Sequence, residues 1–324
     1  MLSFFRSTGI IVIFAIIMIG VLTWLHVFRI PEAFDLTGNI LFNTLNLWLA
    51  TCIPVTWFNT WLGIVLFLVV AFMLVYANAR LRLIEKHSYL PALCYVLLIG
   101  GVPEIHMFSP AIIATVLLIP AFVVLVESFE SERLSYGFFT APAIISFATF
   151  FYQYMFVYML VVWIILAAWR PGYWREWVFS VLGFALPYFF AFSWFFLIDD
   201  NLNKMSILIN KMLALQFGFP LLSVSFAVFF VLIIITLGYT LRHIASKKIA
   251  VRTSYYVLVF IAVITVGMAF IVPDNTFWYL LAFPASFMMS CYFASVKSMR
   301  WGNVLLAIFF AGVIGAQAIF LFAG

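Results

Sequence analysis

The sequence predicts an all-α fold: a polytopic helical membrane protein with about 11 transmembrane helices. Three observations predict it. First, 67% of the 324 residues are hydrophobic and only 8% are charged, with mean hydropathy +1.22. Soluble domains run at roughly 45–50% apolar and about 25% charged. Second, the apolar residues form unbroken runs such as Ile10 to Leu25 and Phe226 to Leu237, where membrane β-strands would alternate. Third, Lys and Arg fall between those runs in a pattern that sets topology. A soluble globular domain, a disordered chain and a disulfide scaffold are excluded. Cys52, Cys94 and Cys291 are isolated, with no CxxC or metal-ligand spacing, and read as small apolar residues. The formal charge of +5 reflects the topology-setting basic residues, and no nucleic-acid partner is expected.

Each crossing takes about 20 residues, so eleven use roughly 220 and leave no room for a soluble domain of ordinary size. Residues 1–324 are therefore one membrane-embedded domain. The first span, 9–28, follows Arg6 as a signal peptide would, but it is long and lacks an A-x-A site, so it reads as a retained helix. The second, 54–78, ends at Arg80 and Arg82. The third and fourth, 89–107 and 109–127, are short and joined by the segment Pro103 to Pro110. The fifth and sixth, 136–153 and 154–169, meet at Tyr152-Gln153. The seventh, 177–198, follows Arg170 and Arg175, and the eighth, 218–241, stops at Arg242. The ninth, 254–272, ends at Pro273-Asp274-Asn275, a tight turn. The tenth, 276–295, precedes Lys297 and Arg300. The eleventh, 302–322, carries Ala311, Gly312, Gly315 and Ala316, small enough for close helix contact.

With a cytoplasmic N-terminus, the inner segments hold Arg6, Arg80, Arg82, Lys86, Arg133, Arg170, Arg175, Arg242, Lys247, Lys248, Arg252, Lys297 and Arg300. Only Arg29, Lys204 and Lys211 fall outside. This bias puts the N-terminus inside and the C-terminus outside. The outer face is acidic, carrying Glu32, Asp35, Glu104, Asp199, Asp200 and Asp274, so chemistry is expected there.

Three outer segments draw attention. The first loop, 29–53, holds Arg29, Glu32 and Asp35, punctuated by Pro31 and Gly38. It leads into a helix from about Ile40 to Thr51, on which Asn39, Asn43 and Asn46 share one face and Leu41, Leu45, Trp48 and Leu49 make an apolar one. This reads as a helix lying in the membrane interface. The fourth outer loop repeats the design. Asp199 to Lys204 leads into Met205, Leu208, Met212 and Leu215, with Lys204 and Lys211 seven residues apart on one side. Two ammonium groups there can hold a lipid phosphate as point charges, or snorkel to headgroups. Third, Glu104 and His106, between Pro103 and Pro110, read as a capped turn or as part of a polar pocket with the first loop. His26 reads as a satisfied interfacial histidine, and the Trp residues near span ends as an aromatic belt. No Walker A, GxGxxG, HExxH or GxSxG motif occurs, and no cofactor or metal is expected.

A helix, an acidic outer loop and an interfacial helix precede a long second span ending in Tyr76-Ala77-Asn78-Ala79-Arg80-Leu81-Arg82. Then come Leu90-Pro91-Ala92-Leu93, Pro103 and Ser109-Pro110. This layout resembles the GT-C superfamily of polytopic glycosyltransferases over roughly residues 1–200, with additional helices over about 218–322. It is also similar to an uncharacterised family of bacterial polytopic inner-membrane proteins, a similarity that adds no activity. The GT-C resemblance implies transfer of a sugar from a polyprenyl-phosphate carrier to an acceptor on the outer, periplasmic face of the bacterial inner membrane. Asp35, with Glu32 beside it, maps onto the family carboxylate. Arg29, Lys204, Lys211, Glu104 and His106 are the substrate-binding candidates. Two features depart from the family pattern: the acids are separated by Ala33-Phe34, and no sizeable outer domain follows the last span. The alternatives are a non-catalytic membrane subunit packed against an envelope-protein partner, and a transporter or lipid flippase. The almost wholly apolar span centres and the lack of paired broken segments weigh against the latter.

Overall fold

The computed structural model describes residues 2–6, 9–28, 39–52, 56–84, 88–130, 136–199, 224–244, 249–270, 275–296 and 299–323. Among them there is no strand. The helices are α1 (Leu2–Phe5), α2 (Ile10–Trp24), α3 (Ile40–Cys52), α4 (Thr56–Leu81), α5 (Leu90–Gly100), α6 (Pro110–Glu130) and α7 (Gly137–Thr149). They continue with α8 (Met159–Trp169), α9 (Trp174–Asp199), α10 (Val224–Ile244), α11 (Ile249–Met268), α12 (Phe277–Ser295) and α13 (Met299–Ala323). Seven of them, α2, α4, α6, α9, α11, α12 and α13, contain stretches long and apolar enough to cross a membrane. Shorter apolar helical stretches run over Leu90–Gly100, Gly137–Thr149, Gln153–Trp169 and Val231–Arg242. This is the build of a multi-pass helical membrane protein. Pro120, Pro142, Pro187 and Pro284 lie inside helices, as membrane helices tolerate.

The centre of the bundle is α5. All of its residues are buried, and α2, α4, α12 and α13 surround it. Pro91 in its first turn suits a helix start, where an N–H is not needed. The expected third span, 89–107, is broken: the helix stops at Gly100, and Pro103–Ile105 form a separate 3-10 turn. Eleven residues rise only about 16 Å, roughly half of a hydrocarbon core. The backbone that follows α5 is therefore sheltered by protein, the one setting in which irregular backbone is tolerated at depth.

Two other arrangements matter. First, α7 and α9 pack very closely. A Cβ on Gly183 would come within 2.2 Å of the Phe139 carbonyl oxygen, so only glycine permits this approach. Ser146 Oγ donates to the Phe184 carbonyl across the same contact (2.6 Å). Second, α2 and α13 are parallel neighbours. Leu2 N–H, at the start of the short α1 that precedes α2, donates to Asn303 Oδ1 near the start of α13 (2.8 Å). At the other end the His26 ring meets Phe320 edge-on at 5.2 Å.

Helix α3 forms where the sequence places it, with Asn39 and Asn46 on its buried side, joined there by Leu49 from the expected apolar face. Asn39, Asn46, Phe42 and Leu49 are buried, whereas Leu41, Leu47 and Trp48 are exposed. Phe42 and Leu49 pack with Phe108, and the Phe42 and Phe108 rings lie 5.2 Å apart. The Asn39 carboxamide turns inward to a hydrogen-bond partner. Asn39 Nδ2 donates to the Thr149 carbonyl (2.8 Å), and the backbone N–H groups of Asn39 and Leu41 donate to Phe151 and Phe150.

Candidate functional site

The two ends of the bundle differ in chemistry. At one end sit the termini of α4, α6, α8, α10 and α12 and the starts of α9, α11 and α13, carrying Arg80, Arg82, Arg170, Arg175, Arg242, Arg252 and Arg300. Arg6 joins them by donating to the carbonyls of Phe293 (2.5 Å) and Val296 (3.4 Å). Arg80 pairs with Glu127 at the surface. Arg170 pairs with the buried Glu176 at 2.6 Å and donates to the Ser128 carbonyl at 3.3 Å. Its guanidinium lies 5.6 Å from the Phe138 ring centre and 5.5 Å from that of Tyr173. Cations on the last carbonyls of α6 and α12 complement the negative ends of those helices. These arginines act as anchors, and no substrate role is assigned to them.

The opposite end gathers the end of α2, helix α3, the connection 101–109, the turn after α7 and the turn before α12. Its organising problem is the C-terminus of α5, whose last carbonyls need donors in a buried place. Each is answered: Gly101 N–H donates to Leu97 O (3.0 Å) and Val102 N–H to Ile99 O (2.9 Å). Trp278 Nε1 donates to Leu98 O (3.2 Å), His106 Nε2 to Ile99 O (2.9 Å) and Gln317 Nε2 to Gly100 O (2.7 Å). A carbonyl only accepts, so His106 carries its hydrogen on Nε2. A Cβ on Gly100 would meet the Thr23 side chain at 2.8 Å, so glycine lets α2 approach this helix end.

His106 is buried and stacks on Trp24, with ring centres 5.0 Å apart. His26 lies 5.1 Å away, ring to ring, with Nδ1 bonded to the Thr23 carbonyl (3.0 Å). Buried, bonded to the end of α5 and stacked on Trp24, the His106 imidazole serves the helix end as a cap. Glu104 points the other way and is exposed. It accepts a hydrogen bond from Asn275 Nδ2 at 3.3 Å. Tyr279 OH holds the same turn through the Ile105 carbonyl (2.7 Å). Thr23, His26 and Gln317 also form the polar part of an otherwise apolar groove of about 580 Å³ between α2 and α13.

The structure thus separates the paired candidates Glu104 and His106: the first faces outward, the second caps a helix. Arg29, Glu32, Asp35, Lys204, Lys211 and the expected interfacial helix at Met205 to Leu215 lie outside the described residues. The flanks of the first loop are placed. α2 ends at the His26 cluster, and Asn39 is bonded to the end of α7, so both flanks meet the same end of the bundle. Sequence reasoning gave Gln317 and Trp278 no role. Gln317 carried a signal, since it is the single Gln in the apolar stretch 304–323, where a polar side chain needs an internal partner. Among the described residues no group of three or more His, Cys, Asp or Glu is gathered as metal ligands. No known protein family, no curated protein and no solved structure matches the chain.

Proposed function

We propose that the chain is a glycosyltransferase-like protein of the bacterial inner membrane, crossing it eleven times with its basic end in the cytoplasm. On this reading it acts at the Glu104 end, moving a sugar from a polyprenyl-phosphate carrier to an acceptor in cell-envelope glycan assembly. The observation that carries the reading is the segregation of charge. The described arginines collect at one end, as the cytoplasmic side requires, while the residues that flank the Glu32 and Asp35 loop, His26 and Asn39, lie at the other. On this reading each crossing reverses the direction of the one before, with α5 and its following turn as a broken third crossing. Asp35, assisted by Glu32, takes the proton from the acceptor hydroxyl. Arg29, Lys204 and Lys211 hold the departing phosphate, and Glu104 with Asn275 supplies hydrogen-bonding groups at the rim.

The test uses the full-length protein in proteoliposomes with a radiolabelled sugar on polyprenyl phosphate. Asp35→Asn is expected to reduce transfer about 10²–10⁴-fold, the range of a general base, while leaving the thermal midpoint unchanged. Undiminished transfer in both Asp35→Asn and Glu32→Gln overturns the assignment.

A further inference from the structure

We propose that the groove between α2 and α13 is a binding site for one acyl chain of a bilayer phospholipid, with the glycerol ester at its Gln317 end. The inference rests on the chain lying in a bilayer and is independent of sugar transfer.

Three observations carry it. The first is chemical: the lining contains no charged side chain, and its polar members, Thr23, His26 and Gln317, are uncharged hydrogen-bonding groups. A hydrocarbon chain matches such walls, whereas an anionic headgroup would be desolvated without a counter-charge. The second is position. The groove is bounded by the exposed residues Leu22, Ile314 and Phe322 on two helices that are each apolar enough to span. In a membrane it therefore opens sideways onto lipid tails. The third is size. About 580 Å³ falls within the roughly 300–1,000 Å³ of small-ligand sites and suits a single chain. The polar end adds direction. Gln317 donates an amide hydrogen to Gly100 O and is hydrogen-bonded with His26, so the polar side chains of the groove sit together, where an ester group is better accommodated than among the apolar walls. A bound chain would also cover one side of the cap on α5, coupling lipid occupancy to the central helix.

The experiment is native mass spectrometry of the full chain, delipidated and then returned to vesicles of palmitoyl-oleoyl phosphatidylethanolamine and phosphatidylglycerol. The wild-type protein is expected to keep one phospholipid under activation that strips the rest. Ala318→Phe, which fills the groove, and Ile314→Trp, which covers it from the exposed side, should each lower that lipid-bound fraction by about tenfold or more. Leu160→Trp, on an exposed face elsewhere, should keep the lipid. Unchanged retention in both groove variants overturns the proposal, as does a wild type that keeps no phospholipid. A dimer lost in both groove variants also overturns it, by assigning the groove to a second copy. A protein inactive in sugar transfer that still shows groove-dependent retention defeats the transferase reading and leaves this one standing.

Discussion

Helices α9 and α12 are nearly equal in apolarity and opposite in fate. Their apolar stretches are both long enough to cross a membrane, yet 11% of the first is buried and 89% of the second. Water would have driven both inward. In lipid there is no such force between helices, and the interior goes to whichever surfaces pack closely and bond to one another. Helix α12 offers Ala282, Ala285, Ser286 and Ser290, all buried, and sends Trp278 and Tyr279 to carbonyls of the α5 region. Helix α9 offers exposed Phe189, Phe190, Trp194 and Leu197 to lipid. It is held through a narrow inner flank of Glu176, Ser180 and Gly183. Bulk apolarity marks a span; small and hydroxyl side chains mark its buried side.

The largest test of this contrast strikes the buried Glu176 carboxylate on α9. Arg170→Ala leaves the Glu176 carboxylate buried without its cation, and should cost about 3–5 kcal/mol of stability in detergent-based unfolding. The double variant Arg170→Met/Glu176→Gln should recover most of it. Recovery failing would mean that the aromatic contacts of Arg170, and not the ion pair, hold this corner. Next in size is a direct exchange between the helices. Phe283→Ala in α12 opens a cavity against Phe122 and Phe287 and should cost about 3 kcal/mol or more. Phe190→Ala in α9 should stay within about 0.5 kcal/mol. Equal losses would erase the distinction between the two helices. The smallest effect is at the glycines. Gly183→Ala should cost about 1–3 kcal/mol by forcing α7 from α9. Gly315→Ala, with nothing within 4 Å of the added carbon, should leave the thermal midpoint unchanged or slightly raised.

Helix positions were legible because a continuous apolar run has few alternatives to a buried helix. The predicted spans 9–28, 54–78, 276–295 and 302–322 each coincide with a helix to within a few residues. Facing was less legible. The Asn39, Asn43 and Asn46 stripe was visible, but its direction depends on what lies outside the helix, which no local pattern states. The break after Gly100 was hinted at by Gly100-Gly101 and Pro103, while hydropathy ran on through it. Of the candidate site, Glu104 and His106 were found as neighbours. Their opposite orientations arise from the carbonyl of Ile99 seven residues earlier and from Trp24 on another helix. Gln317 and Trp278 serve a helix end distant in sequence, so only the fold joins them to it.

The parallel run of α2 beside α13 restricts how this chain can be rewired. Two antiparallel neighbours can be joined by a short turn, but these two begin at the same end. A peptide leading from residue 323 back to residue 2 would have to retrace the whole of α13, about 38 Å. A hydrophilic linker cannot do that through hydrocarbon, so circularising the protein requires an added apolar helix. By the same geometry, split-reporter halves placed beside Asn303 and beside His26 belong to touching helices but lie too far apart to complement each other.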